Sequence, residues 1–125
     1  MIPRNSPFNA YVELADADTV VSAQTYTCAR VPSTLSGTRT YTLLKPTLST
    51  GGNRPAGLMI RIFRTKTANA HDVIFVEETS GRDLGSWDPS IQAWSDFCWD
   101  GDRWHMVGWD AGEGTPGSIN DTSEP

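Results

Sequence analysis

The segment from Trp94 to Trp109, Trp-Ser-Asp-Phe-Cys-Trp-Asp-Gly-Asp-Arg-Trp-His-Met-Val-Gly-Trp, restricts what this chain can fold into more than any other. Asp100-Gly101 lies between two runs of aromatic and aliphatic residues. That is a β-hairpin signal, because the tight turn joining antiparallel strands needs a residue that accepts positive φ. Closing the two runs symmetrically about Gly101 and Asp102 sets Trp99 against Trp104 and Phe97 against Met106 on one side. The other side then carries Trp94 opposite Trp109, Asp96 opposite Val107 and Cys98 opposite His105, with Asp100 facing Arg103 beside the turn. A hairpin covering a single core is apolar on one side and polar on the other. Here both sides carry tryptophan, so the second is expected to pack too, with a subunit interface favoured over a second sheet of the same domain. Trp94, Val107 and Trp109 are the residues expected to carry that interface.

The rest of the chain reads the same way. Residues 19–23 and 24–31 are rich in Thr, Val and Tyr, and Arg39 to Leu44 alternates Thr40 and Thr42 with Tyr41 and Leu43. After the turn-rich stretch 51–57, Leu58, Ile60 and Ile62 share one face and Met59, Arg61 and Phe63 the other. Asp72 to Glu77 is a second apolar strand, expected to be the hairpin partner of 58–65 across residues 66–71. No stretch sustains a 3.6-residue period. The fold class is therefore all-β, a small β-sandwich or barrel-like domain over residues 19–111. Residues 1–18, broken by Pro3 and Pro7 but carrying Ile2, Phe8, Tyr11, Val12 and Leu14, are expected to form an extended arm. Residues 112–125 are expected to be a flexible acidic tail. With Met1 at its start and 125 residues in all, the chain is expected to be a complete single-domain product.

Several functional classes fit poorly. The net charge is −5 and the pI about 4.8, the opposite of a nucleic-acid groove. Nine carboxylates lie from Asp83 onward (Asp83, Asp88, Asp96, Asp100, Asp102, Asp110, Glu113, Asp121, Glu124) against the single cation Arg103. Apolar runs fall far short of the roughly 20 residues of a spanning helix, and the first residues lack the apolar core of a secretory signal. Cys28 and Cys98 have no metal-knuckle spacing and are expected to be free thiols. His71, in an expected turn, and His105, expected to be packed by the tryptophans, are the only ready bases. Glu77 and Glu78, adjacent in a strand, point to opposite faces and cannot work as an acid–base pair. Asp100 and Asp102 belong to the turn and are too few oxygens for calcium. No enzymatic activity, cofactor or metal is expected. Five tryptophans are a possible sugar platform, but all except Trp87 lie at strand positions, where packing explains them. Trp87, in the apparent loop Gly85-Ser86-Trp87-Asp88-Pro89, is the expected ligand contact if there is one.

From Arg39 to Trp109 the chain resembles a β module of bacteriophage head-decoration, tail-fibre and tail-spike proteins. The matching residues are Thr40-Tyr-Thr-Leu-Leu-Lys-Pro46, Pro55-Ala-Gly-Leu-Met-Ile-Arg-Ile62, Asp72-Val-Ile-Phe-Val76, and Trp94 with Trp99-Asp-Gly and Trp104-His-Met-Val-Gly108. The resemblance covers a little over half of the chain, and residues 1–38 have no part in it. It implies a trimeric, structural, non-catalytic module. A stand-alone module with an N-terminal arm suits a capsid decoration (cement) protein on the outside of the virion. The expected partners are then two further copies of the chain and the major capsid protein, with neither nucleic acid nor membrane involved. Phe8, Tyr11 and Leu14 are the residues expected to attach the arm to the shell. A tail-fibre or receptor-binding module recognising host-surface glycan is the alternative, and a free-standing carbohydrate-binding domain is a third reading.

Overall fold

The computed structural model describes residues 11–23, 27–32, 34–48, 50–52, 54–65, 71–88, 92–111 and 119–121. They form two mixed sheets of five strands packed face to face, with no helix among them. In the first sheet the order is β1 (Tyr11–Glu13), β3 (Cys28–Arg30), β5 (Met59–Arg64), β8 (Ala93–Trp99) and β9 (Trp104–Ala111). In the second it is β10 (Ile119–Asp121), β7 (Asp83–Trp87), β6 (Val73–Glu77), β4 (Arg39–Leu43) and β2 (Thr19–Val21). The architecture is a small all-β sandwich.

The chain changes sheet at every step from β1 to β6. Each new strand adds parallel to the strand two before it, β1 to β3 to β5 in one sheet and β2 to β4 to β6 in the other. This winding makes a flattened coil. The β6–β7 and β8–β9 hairpins then close each sheet with antiparallel strands, and β10 adds antiparallel to β7. The hairpin expected between 58–65 and 72–77 is overturned, since β5 and β6 lie in different sheets. Their apolar residues, Ile60 and Ile62 on β5, Val73 and Phe75 on β6, belong to opposite walls of the core. A period of two assigns a strand's buried face but not its neighbour, and the sequence pattern is the same for either arrangement.

Aromatic residues fill the space between the sheets. Phe75 lies 5.0 Å from Trp87, edge to face, 5.0 Å from Phe97 and 6.4 Å from Tyr41, centroid to centroid. Trp99 and Trp104 stand 5.6 Å apart, as the hairpin symmetry requires. Each polar tip finds a partner, as buried polar groups must. Trp87 Nε1 donates to Ser95 Oγ at 2.8 Å, joining the two sheets. Trp99 Nε1 donates to the Arg54 carbonyl at 2.8 Å, Trp104 Nε1 to the Leu44 carbonyl at 3.0 Å, and Tyr41 Oη to the Ala15 carbonyl at 2.8 Å.

Three sequence expectations change here. Trp87 is not a loop residue: it lies on β7 and its side chain is fully buried, so it cannot meet a ligand from solvent. The local composition, Gly85 and Pro89 around it, hid a strand that carries a β-bulge against β6. Leu14 is a core residue, 7% exposed, with its N–H donating to the Arg30 carbonyl at 2.8 Å, so it is not an attachment residue on a free arm. The expected arm over 1–18 therefore joins the sandwich from β1 onward. Tyr11 belongs to that strand, opposite Cys28, while Phe8 lies outside the described residues. At the other end, β10 shows that the stretch 112–125 is not tail throughout.

A buried ion pair ties the second sheet to the edge strand of the first. Glu77, 3% exposed, accepts from Arg82 Nε at 3.1 Å and Ser80 Oγ at 3.2 Å through one oxygen. Its other oxygen accepts the Trp104 N–H at 2.8 Å, and Arg82 Nη2 donates to the Trp104 carbonyl. The first outward-facing peptide groups of β9 are thus closed by the β6–β7 turn. Blocking an edge in this way prevents another strand from pairing there.

Candidate functional site

The region expected to carry function is the outward side of the first sheet around the β8–β9 hairpin. Near its turn the register is the one the sequence predicts, with Trp99 opposite Trp104, Cys98 opposite His105 and Phe97 opposite Met106. Gly101 takes φ 98°, the positive value that the turn demands. Asp100 Oδ1 accepts the N–H groups of Asp102 and Arg103, each at 2.7 Å, while its own N–H donates to the Arg103 carbonyl at 3.0 Å. One oxygen of its side chain is spent on the turn.

Beyond Met106 the register shifts. A bulge places Asp96 opposite Gly108, Ser95 opposite Trp109 and Trp94 opposite Asp110. The expected pairs Asp96–Val107 and Trp94–Trp109 are therefore overturned. Val107 is the extra residue, and insertion of one residue moves everything after it to the other partner. Trp94 and Trp109 no longer face each other: Trp109 opposes the inward Ser95 at the rim of the sandwich, while Trp94 stays on the outer face.

Trp94 is engaged within the subunit. The Arg61 guanidinium carbon lies 4.2 Å from the centroid of its ring. Arg61 also binds Asp96 with two bonds, Nε to Oδ1 at 2.7 Å and Nη2 to Oδ2 at 2.9 Å. This hydrogen bonding to Asp96 raises the Arg61 pKa above its ordinary value. On the β9 side, Gly108 lies beside the ring: a β-carbon there would sit 3.5 Å from Cζ3 of Trp94, in ordinary van der Waals contact. The other two expected interface residues are presented to solvent. Val107 is 53% exposed and Trp109 is 45% exposed, and Met59 on β5 adds a third exposed apolar side chain at 44%.

His105 is not packed by the tryptophans. It points outward and its Nε2 lies 2.7 Å from Asp100 Oδ2. Desolvation works to raise the Asp100 pKa, but the bonds from the Arg103 N–H, the His105 ring and the Asp102 N–H outweigh it and hold the carboxyl down to about 2. His71 lies just before β6 and is half-buried. Glu77 serves the buried clamp, while Glu78 accepts the Lys45 N–H at 2.8 Å. Both cysteines are free. Cys28 sits opposite Arg61 on one side of β5, and Cys98 sits opposite Met59 on the other. With a strand between them and an offset of two residues along it they are about 12 Å apart, beyond the reach of a disulfide. Burial pushes the Cys28 thiol up from its ordinary pKa.

Among the described residues no group of three or more His, Cys, Asp or Glu side chains is arranged to hold a metal ion, and no helix is long and apolar enough to cross a membrane. Comparison with protein-family models, curated proteins and solved structures finds no match for the chain.

Proposed function

We propose that this chain is a structural protein of a bacteriophage particle, a capsid decoration protein that acts as a homotrimer on the outer surface of the head. One observation carries the reading. The far half of β9, past the point where Glu77 and Arg82 close the strand, presents Val107 and Trp109 to solvent at the rim of the sandwich. A large aromatic on an edge strand is a self-association hazard unless a partner covers it, and interface cores are enriched in tryptophan. The resemblance of residues 39–109 to phage structural modules supplies the kind of assembly in which such a rim is covered. Mechanism in this reading is buried area repeated over symmetry copies. The acidic surface contributes long-range complementarity to a basic patch of the major capsid protein.

The glycan-binding alternatives draw less support. Trp87, Trp99 and Trp104 are sealed in the core and Trp94 is engaged by Arg61, so no described group of tryptophans makes a flat exposed platform. The test is the composition of purified particles. The reading expects the chain at a fixed stoichiometric ratio to the major shell protein, on heads separated from tails. Its absence from particles, or its confinement to tails, would overturn it.

A further inference from the structure

The fold brings three soft or borderline donors into one row that the linear sequence keeps far apart. Met59 stands directly opposite Cys98 on the β5–β8 ladder, and Cys98 stands directly opposite His105 on the β8–β9 ladder. All three belong to the outward face. Met59 is 44% exposed, Cys98 is half-buried and the His105 side chain is 24% exposed. Directly opposed residues on a sheet have β-carbons about 4.5–5.5 Å apart. Cys98 is therefore the middle residue of the row, with Met59 on one strand beside it and His105 on the other, and its thiol donates weakly to the Trp99 carbonyl at 3.7 Å, a contact that an ion on the sulfur would replace.

The imidazole is already oriented. Ionised Asp100 can only accept a hydrogen bond, so the 2.7 Å contact to His105 Nε2 places the ring proton on that nitrogen. Nδ1 is the ring nitrogen that Asp100 does not engage. A carboxylate holding the far nitrogen is the usual support of a metal-binding histidine. Asp100 is itself pinned by the Asp102 and Arg103 N–H groups, so the support is rigid.

We propose that Met59, Cys98 and His105 form a binding site for one soft monovalent metal ion, with Cu(I) as the fitting case. Thiolate and thioether donors select Cu(I) over hard cations, and imidazole also suits copper. Zn(II) fits less well, because its sites draw on Cys, His and carboxylate in a tetrahedron, and the thioether is outside that set. Binding transfers no electron. The Cys98 S–H bond breaks, a sulfur–copper bond forms, and the proton leaves to solvent. Cys28 has no such surroundings, since its opposite neighbour on β5 is Arg61, which is bound to Asp96. The proposal does not depend on the decoration reading.

The test is anaerobic titration of the reduced full-length chain with Cu(I) against a chromophoric Cu(I) chelator. Wild type and Cys28→Ser should each bind one equivalent, with affinities within about twofold. Cys98→Ser should abolish this binding. Met59→Leu and His105→Gln should each weaken it about tenfold or more, and Asp100→Asn about tenfold through loss of ring orientation. In the wild-type protein, one equivalent should move the Met59 methyl and His105 ring resonances, a readout that needs no variant. Wild-type affinity in Cys98→Ser, unchanged affinity in both Met59→Leu and His105→Gln, still resonances, or tighter binding of Zn(II) than of Cu(I) would each overturn the site.

Discussion

Replacing Phe75 with alanine is expected to cost about 3–5 kcal/mol of folding stability, the range for deleting a large aromatic from a packed core. The position warrants the upper part of that range. Phe75 is fully buried and touches both walls of the sandwich, packing on Tyr41 and Trp87 of its own sheet and on Phe97 of the other. Two of those neighbours are anchored by their own bonds. Trp87 is tied to Ser95 and Tyr41 to the Ala15 carbonyl, so neither can swing into the space without breaking a buried hydrogen bond. The cavity would therefore persist. Urea unfolding of the wild type and the variant measures the difference. A loss below about 1 kcal/mol would mean that the two sheets do not meet at this residue.

The second large effect is expected at Glu77. Its carboxylate is buried, and its removal takes a partner from two groups at once, Arg82 Nε and the Trp104 N–H. Breaking a buried pair by deleting one partner costs about 3–5 kcal/mol, far more than the pair contributes over a well-packed apolar replacement. Arg82 is itself partly exposed, at 21%, and water there softens the loss. Glu77→Ala should accordingly fall near the low end of the range. The double variant Glu77→Leu/Arg82→Leu should be less destabilised than the sum of the single changes. Strict additivity in that cycle would show that the two side chains do not act as a unit. Hydrogen exchange at the Trp104 amide should also rise in Glu77→Ala relative to the β8 amides, because that peptide loses its cross-sheet partner.

Much of the fold was legible in the sequence because it depends on local rules. Alternation in Met59–Arg64 and Ala93–Trp99 reports which side chains are buried, and Asp100-Gly101 reports the turn and the first three residue pairs after it. What was hidden depends on long-range choices. Nothing in Val73–Glu77 distinguishes a hairpin partner of β5 from a strand of the facing sheet. The bulge after Met106 has one local signal, Gly108 inside the strand pattern, but a glycine there marks either a bulge or a close backbone approach and does not say which. Trp87 was masked by Gly85 and Pro89, which read as a loop while the strand ran through the first of them. The row Met59–Cys98–His105 was half visible. The hairpin alone pairs Cys98 with His105, but Met59 joins them only because β5 lies beside β8, a neighbour relation absent from any local pattern. Of the expected interface residues, Val107 and Trp109 emerged exposed and Trp94 engaged.

The central claim, that the Val107–Trp109 rim is a contact between copies of the chain, is tested most directly by the mass of the full-length protein in solution. Light scattering on a sizing column should give a mass near three times 13.7 kDa for the wild type, and a shift toward a single 13.7 kDa chain for Val107→Ser/Trp109→Ser with the fold intact. A wild type that remains monomeric at high concentration, or a trimer that the double substitution leaves unchanged, would contradict it.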